Sequence, residues 1–299
     1  MFAQIIFDNL LHASTKNRSL KHKILILCRK FILLFGDVNV DFKYQEFSLK
    51  IPFSHDLPLN MKMFPTYNVN LGKVTKIVHQ KYSDLKIIDV GANIGDSVAV
   101  MHHEAVVPTL CIEGNPKFLK LLEENVKQFN NTEIEASFVG EKSVKVNPQN
   151  NLGTAFLEES SDGITVHTMQ EVIAKHPKFA NAKLLKIDTD GFDNIIIRAS
   201  KELLSNAKPV IFFEYDPFYL SKQNEKGLDI FDFLEELNYT SAIVFDNFGF
   251  YLTTVPLTNK RLLLDLHTYF NRNGSIYMDL VITHKTDEDL VLKFETLYK

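Results

Sequence analysis

Residues 86–97, KIIDVGANIGDS, decide how the rest of the chain is read. A short apolar run ends in Asp89, and two glycines four apart, Gly91 and Gly95, bracket Asn93 before a helical pattern opens. A strand that turns at once into a helix needs residues without a Cβ where the backbone reverses, and the glycines supply them. Asn93 stands where related loops carry another glycine, and Asn is the non-glycine residue that most readily takes positive φ. The stretch is therefore expected to be the first βα turn of an open α/β sheet, with a ligand lying against it.

Downstream, the short apolar runs LKIIDV, TLCIE, IEASFV, KLLKID, PVIFFE, SAIVF and IYMDLVITH alternate with helical patterns. That alternation predicts a parallel sheet covered by helices on both faces. Asn115 followed by Pro116 marks a helix start, with Phe118, Leu122, Val126 and Phe129 on one stripe. TMQE at 168–171 matches a capping box. SAIVFDNFGFYLTT is hairpin-like around Asn247–Gly249, and a closing antiparallel strand is expected in IYMDLVITH. Upstream, alternation through Val40–Ile51 predicts a hairpin or a bulged strand, IPFSHDLPLNMKMFP with its three prolines reads as a loop, and Leu71–Val78 resume helical spacing. The expected organisation is an N-terminal accessory region of helices plus hairpin over 1–80, then the sheet domain over 81–299.

With 299 residues, 45% of them hydrophobic, the chain can bury a large core. A net charge of -4 gives no footprint for nucleic acid, and two cysteines without a CxxC pair suggest neither a disulfide framework nor zinc. A cytoplasmic protein is expected, since the N-terminus lacks a signal-peptide layout. ILILCRKFILLF (24–35) is split by Arg29 and Lys30 into pieces far short of the roughly 20 residues of a spanning helix. Residues 1–35 nevertheless carry six Lys/Arg against one acid, and Leu20, Ile24, Leu27, Phe31 and Leu34 repeat at helical spacing. Two readings follow: a helix packed on the main domain or a partner subunit, giving a homo-oligomer, or a peripheral helix at the anionic inner face of a membrane.

The ligand is narrowed by acids. Glu113 ends the second apolar run, 18 residues beyond Gly95, where a carboxylate can hold a ribose diol. Asp89 and Asp96 beside the following helix would repel the phosphates that a helix N-terminus otherwise attracts. A cationic sulfonium bearing an ammonium group suits such acids, and S-adenosylmethionine is that ligand. Asp96 reads equally well as a residue complementing the helix dipole.

Taken together, IIDVGANIGDS, the acid in CIEGNP, LLKIDTDGFDNIIIRAS and PVIFFE occur in the order and spacing of the FkbM-type S-adenosylmethionine-dependent methyltransferases, which the sequence resembles over roughly residues 60–285. The resemblance implies the class I methyltransferase fold, a Rossmann-like seven-stranded sheet with its last strand antiparallel, and O-methylation of sugar or polyketide hydroxyls. It also implies that Asp89, Gly91, Asn93 and Gly95 form the donor loop and that Glu113 holds the ribose. The chain departs from the family pattern at Gly114, where proline is common, at Asp193 for glutamate and at Ala199 for glycine.

Strands ending at Asp89, Asp188 and Glu214 would lie side by side, gathering three carboxylates at one sheet edge. Lys186, on the same strand face as Asp188, supplies a balancing charge or a catalytic one. Methyl transfer to an alcohol needs alignment and removal of a proton. Asp188 is the first choice for that work, also touching the donor, and Glu214 the second. A divalent cation held by these acids with Asp246 and Asn247 is a weaker reading, because no compact metal spacing is present, and no metal site is assigned. One of His102 and His103 could face the cleft, although a surface pair is the plainer reading. His167 and His284 have no local partner in sequence, and Glu141 reads as an adenine neighbour or a solvated loop acid. The N-terminal region and residues 254–275 are expected to shape the acceptor pocket. The competing functions are a nicotinamide-dependent oxidoreductase and a non-catalytic donor-binding or membrane-associated protein. The acceptor expected from the family is a sugar hydroxyl of a surface glycan or its precursor.

Overall fold

The computed structural model describes residues 2–13, 20–151, 154–159, 163–272 and 276–298, with backbone alone for 147–151 and 154–159. Lys16 and Arg18 of the basic N-terminal segment and residues 273–275 of the 254–275 stretch lie outside the described residues. The chain opens with helices α1 (Phe2–His12) and α2 (Leu20–Leu33) and a hairpin, β1 (Asn39–Tyr44) and β2 (Phe47–Pro52). Tyr44 pairs with Phe47, so Gln45 and Glu46 form the turn, with Gln45 at φ 49. The proline-containing segment read as a loop holds a short helix, α3 (Leu57–Met63). Pro58 sits in its first turn, where the missing N–H has no helical partner to lose. Helix α4 (Val69–Lys81) follows.

The main sheet then begins: β3 (Ile87–Val90), α5 (Asp96–Glu104), β4 (Thr109–Ile112), α6 (Pro116–Asn125) and β5 (Thr132–Glu135). An excursion of β6 (Phe138–Val139), β7 (Val144–Asn151), β8 (Thr154–Glu159) and β9 (Ile164–His167) forms a separate four-stranded sheet. IEASFV, read as one strand, is thus divided between two sheets. The chain returns through α7 (Met169–Lys175), β10 (Leu184–Ile187), α8 (Asp193–Ala199), α9 (Lys201–Asn206), β11 (Val210–Tyr215), α10 (Pro217–Lys222) and α11 (Asp229–Glu236). It closes with β12 (Tyr239–Asp246), β13 (Tyr251–Pro256), α12 (Lys260–Phe270), β14 (Met278–His284) and α13 (Glu288–Tyr298).

The main sheet runs β13-β12-β14-β11-β10-β3-β4-β5. β14 is antiparallel to both neighbours, as expected of the closing strand. The seven expected strands are all present, and β13, the outer arm of the hairpin at Asn247–Gly249, extends the sheet to eight. Strand order reverses between β3 and β10, so the carboxyl ends of these two strands open the crevice where α/β sheets bind ligands.

Period-two alternation buries both faces. Ile88 and Val90 of β3 join α7–α12 in one core, while Ile87 joins Val74 and Val78 of α4, Met101 of α5 and Phe294 of α13 in the other. A third core unites α1, α2 and the hairpin with α5 and α6. Buried Asn125 ties it together, its side chain accepting from Lys50 N and donating to the carbonyls of Lys50 and Ile94. The accessory segment is thereby pinned to the glycine turn itself. Both helix starts expected from sequence are present: Asn115 accepts from Lys117 N, and Thr168 forms a capping box with Glu171.

Candidate active site

The turn after β3 is shaped by its glycines. Gly91 has φ +76, and a Cβ there would lie 2.0 Å from the Asp188 carbonyl oxygen, so the turn packs directly on the end of β10. Gly95 caps α5 in the left-handed region and Asn93 takes φ 47. Asn93 N donates to Glu113 Oε2 at 2.9 Å and Asn115 N to Oε1 at 2.6 Å, which fixes the Glu113 carboxylate and leaves further lone pairs for a ligand. Burial pushes that carboxyl above its ordinary range against these two hydrogen bonds.

Two cavities flank the turn and share Gly91, Asn93, Asp188 and Asp190. The larger, about 570 Å³, is lined by Glu113, Ile112, Phe118, Phe138, Val139 and Ile196 among others. Gly114 accounts for one wall: a Cβ there would meet the Phe138 ring at 2.5 Å, so glycine in place of the usual proline lets this ring approach the backbone beside Glu113. The smaller, about 290 Å³, is polar and is lined by His55, Asn60, Tyr67, Asp96, Lys186, Glu214, Asn247, Tyr277 and Asp279 besides the shared residues.

Lys186 is the cation of this acidic recess. Strand register sets it beside Asp89, and its ammonium lies 3.1 Å from Asp89 Oδ1, 3.1 Å from the Gly91 carbonyl and 3.4 Å from Asp188 Oδ2. Burial opposes its charge, but Asp89, Asp188 and Asp96 outweigh that and hold the amine above its ordinary value. Asp89 was expected to touch the donor, and the structure places it elsewhere. It is fully buried, lines neither cavity, and is spent on Lys186 and on the Ser97 hydroxyl. Gly95 likewise lines neither cavity and packs on Leu122.

Burial raises the other acids around the recess above the ordinary carboxylate range. Burial and the neighbouring Asp188 raise Asp190 to about 6 and Asp193 to about 7. Burial, against a hydrogen bond from Asn70, raises Asp279 to about 7. Burial and Asp188 push Glu214 well above the carboxylate range, and Asp96 is raised by burial against the pull of His55 and Lys186. Asp279 faces Glu214 across the β11–β14 register, and with Tyr67, Tyr277 and Asn60 it is a site residue that sequence reading missed.

Other candidates fall outside. His102 is buried against Thr109 and Phe129, and His103 pairs with Glu46, so neither reaches the cleft. His167 and His284 have partners after all: Lys175, Glu171 and Glu135 for the first, Thr286 for the second. Glu141 is exposed and away from both cavities. Asp246 accepts from Phe248 N and Phe250 N to shape the hairpin turn. Among the described residues no three His, Cys, Asp or Glu side chains converge as metal ligands. The N-terminal region does wall the smaller cavity, through α3 and the start of α4, whereas the described part of 254–275 does not.

A sequence profile of the methyltransferase FkbM domain matches residues 89–241, just over half of the chain. The chain belongs to the FkbM methyltransferase family. Its eight-stranded sheet holds the seven strands, the last antiparallel, that the family resemblance led one to expect, with β13 added at one edge, and S-adenosylmethionine is the donor expected of the family. The FkbM methyltransferase structure from Methylobacillus flagellatus is similar at 17% identity and TM-score 0.38, over 53% of this chain and 39% of that one. This chain therefore spans well under half of that protein's length. A S-adenosylmethionine-dependent methyltransferase from Agrobacterium tumefaciens aligns at 9% identity and TM-score 0.45, over 83% and 70% of the two chains. An O-methyltransferase from Bacillus cereus, solved with S-adenosylhomocysteine, aligns at 12% identity and TM-score 0.39, over 70% and 80%. No curated protein matches the chain in sequence.

The residues present fit such a donor: Glu113 would hold a ribose, Phe118 and Phe138 would offer aromatic surface to a base, and Asn93 Oδ1 is buried without a partner. The acidic recess lies on the far side of the same turn, where a sulfonium and an ammonium would meet carboxylates.

Proposed function

We propose that this methyltransferase acts on a sugar hydroxyl of a surface glycan or of its precursor. The observation that supports the reading is the recess beside the donor turn, where Asp188, Asp190, Glu214, Asp279, Asn60 and Asn247 offer hydrogen-bonding oxygens and Lys186 is the single lysine. Such a wall suits an uncharged polyol and disfavours phosphate or carboxylate groups, which would meet like charge. When bound, S-adenosylmethionine supplies an electrophilic methyl group on a sulfonium.

In this reading the acceptor oxygen gains the methyl group as its proton passes to the Asp188 carboxylate. Lys186, whose ammonium lies 3.4 Å from Asp188 Oδ2, holds that carboxylate in place on the shared wall. Glu214, held protonated by burial and by Asp188, donates a hydrogen bond that orients the sugar. In this reading donor and acceptor meet at the wall that the two cavities share around Gly91 and Asp188, where in-line transfer needs them aligned.

Incubating the full chain with methyl-labelled donor and fractionated glycans from the source cell tests this. Label is expected in a sugar fraction and is expected to survive alkali, as a methyl ether does. Alkali-labile label would mean a carboxylate acceptor, and no label in any fraction would favour a donor-binding protein without turnover; either result overturns the proposal.

A further inference from the structure

Helix α2 is held by one side only. Its inner side buries Leu25 and packs Ile26, Ile32 and Leu33 into the N-terminal core. Arg29, on that same side, donates to the carbonyls of Phe53 and Ser54 at 3.2 and 2.7 Å and to Asp56 at 2.8 Å. The outer side carries Leu20, Ile24, Leu27 and Phe31, which fall within an arc of about 60° at 100° per residue. Leu34 and Phe35 extend it in the turn that follows, and all six are between 51% and 80% exposed. The main domain therefore does not cover this face.

Charge says what does. On a helical projection Lys23 and Lys30 border the apolar arc on one side and Lys21 on the other, and residues 20–36 contain no acid. Long lysine stems at the edge of an apolar stripe place their ammonium groups level with a phosphate layer while the stripe enters the lipid. A second copy of the chain would set the same lysines against one another, which argues against a symmetric dimer through this face. No helix among the described residues is long and apolar enough to cross a membrane.

We propose that α2 is an interfacial helix that seats the protein on an anionic bilayer. The consequence for the site is direct. Arg29 clamps residues 53–56, and His55, Asp56 and Leu57 line the smaller cavity, so the helix that meets the lipid also carries part of that cavity's rim. The helix face, not the methyl-transfer reading, carries this proposal, and its test needs no acceptor.

Sedimentation of the full chain with phosphatidylcholine vesicles, with and without phosphatidylglycerol, decides it. The protein is expected to sediment with the anionic vesicles, weakly or not at all with the neutral ones, and to be released by high salt. Leu27→Asp with Phe31→Asp is expected to abolish binding. Replacing Lys21, Lys23 and Lys30 with glutamine is expected to weaken binding on the order of 100-fold, at about one kcal/mol per lysine near an anionic surface. The glutamine variant keeps the packing of α2, so it carries the test if the aspartate variant melts early. No sedimentation with anionic vesicles overturns the proposal. So does a dimer that the aspartate pair dissociates while lipid binding is absent, because a second copy would then be the occupant.

Discussion

Replacing Lys186 with methionine is expected to destabilise the fold by about 3–5 kcal/mol, the range for breaking a buried ion pair by removing one partner. The size follows from what stays behind. Asp89 is fully buried, and without the ammonium 3.1 Å away it retains only the Ser97 hydroxyl. The Gly91 carbonyl loses its donor in the same step. Adding Asp89→Asn to the methionine variant is expected to restore much of the loss, since no buried charge is then unpaired. Urea unfolding of the two variants measures this. A single-variant loss below about 1 kcal/mol would place the pair among surface-like bridges and contradict the role given to Lys186.

Asp188→Asn is expected to lower methyl transfer by about 100-fold or more while donor affinity stays within a few-fold. Amide and carboxylate have the same shape, and Lys186 keeps its contacts with Asp89 and Gly91, so the turn stands. What is lost is the proton acceptor on the wall common to both cavities. Single-turnover methylation alongside a donor titration separates the two effects. Unchanged turnover would remove the assignment.

Much of this site was legible because a strand end is local. Asp89, Glu113, Asp188 and Glu214 each close a short apolar run, and the glycine turn announces which edge of the sheet they share. What was not legible is which way an end residue faces and what lies across from it. Asp89 and Asp188 sit at adjacent strand ends, yet the first is sealed beneath the turn and the second opens on both cavities. Asp279 enters the site through its register with Glu214, and pairing partners far apart in sequence leave no periodic trace. Tyr67 and Asn60 arrive from the segment around α3, whose prolines masked a short helix. The exposed face of α2 was visible as periodicity, but periodicity marks a stripe without saying whether protein covers it.

A cationic donor entering the acidic recess beside the Gly91 turn is expected to displace protons from its carboxyls. Calorimetric titration of the chain with S-adenosylmethionine near pH 7, repeated in buffers of different ionisation enthalpy, measures affinity and proton release together. Saturable binding with net release of protons is the predicted result, from the cavity-lining carboxyls Asp190 and Asp279, which are raised to about 6 and about 7. Glu113→Ala is expected to weaken that binding about tenfold, as loss of a charged hydrogen-bond partner does. No uptake of S-adenosylmethionine, or uptake without any proton released, would contradict it.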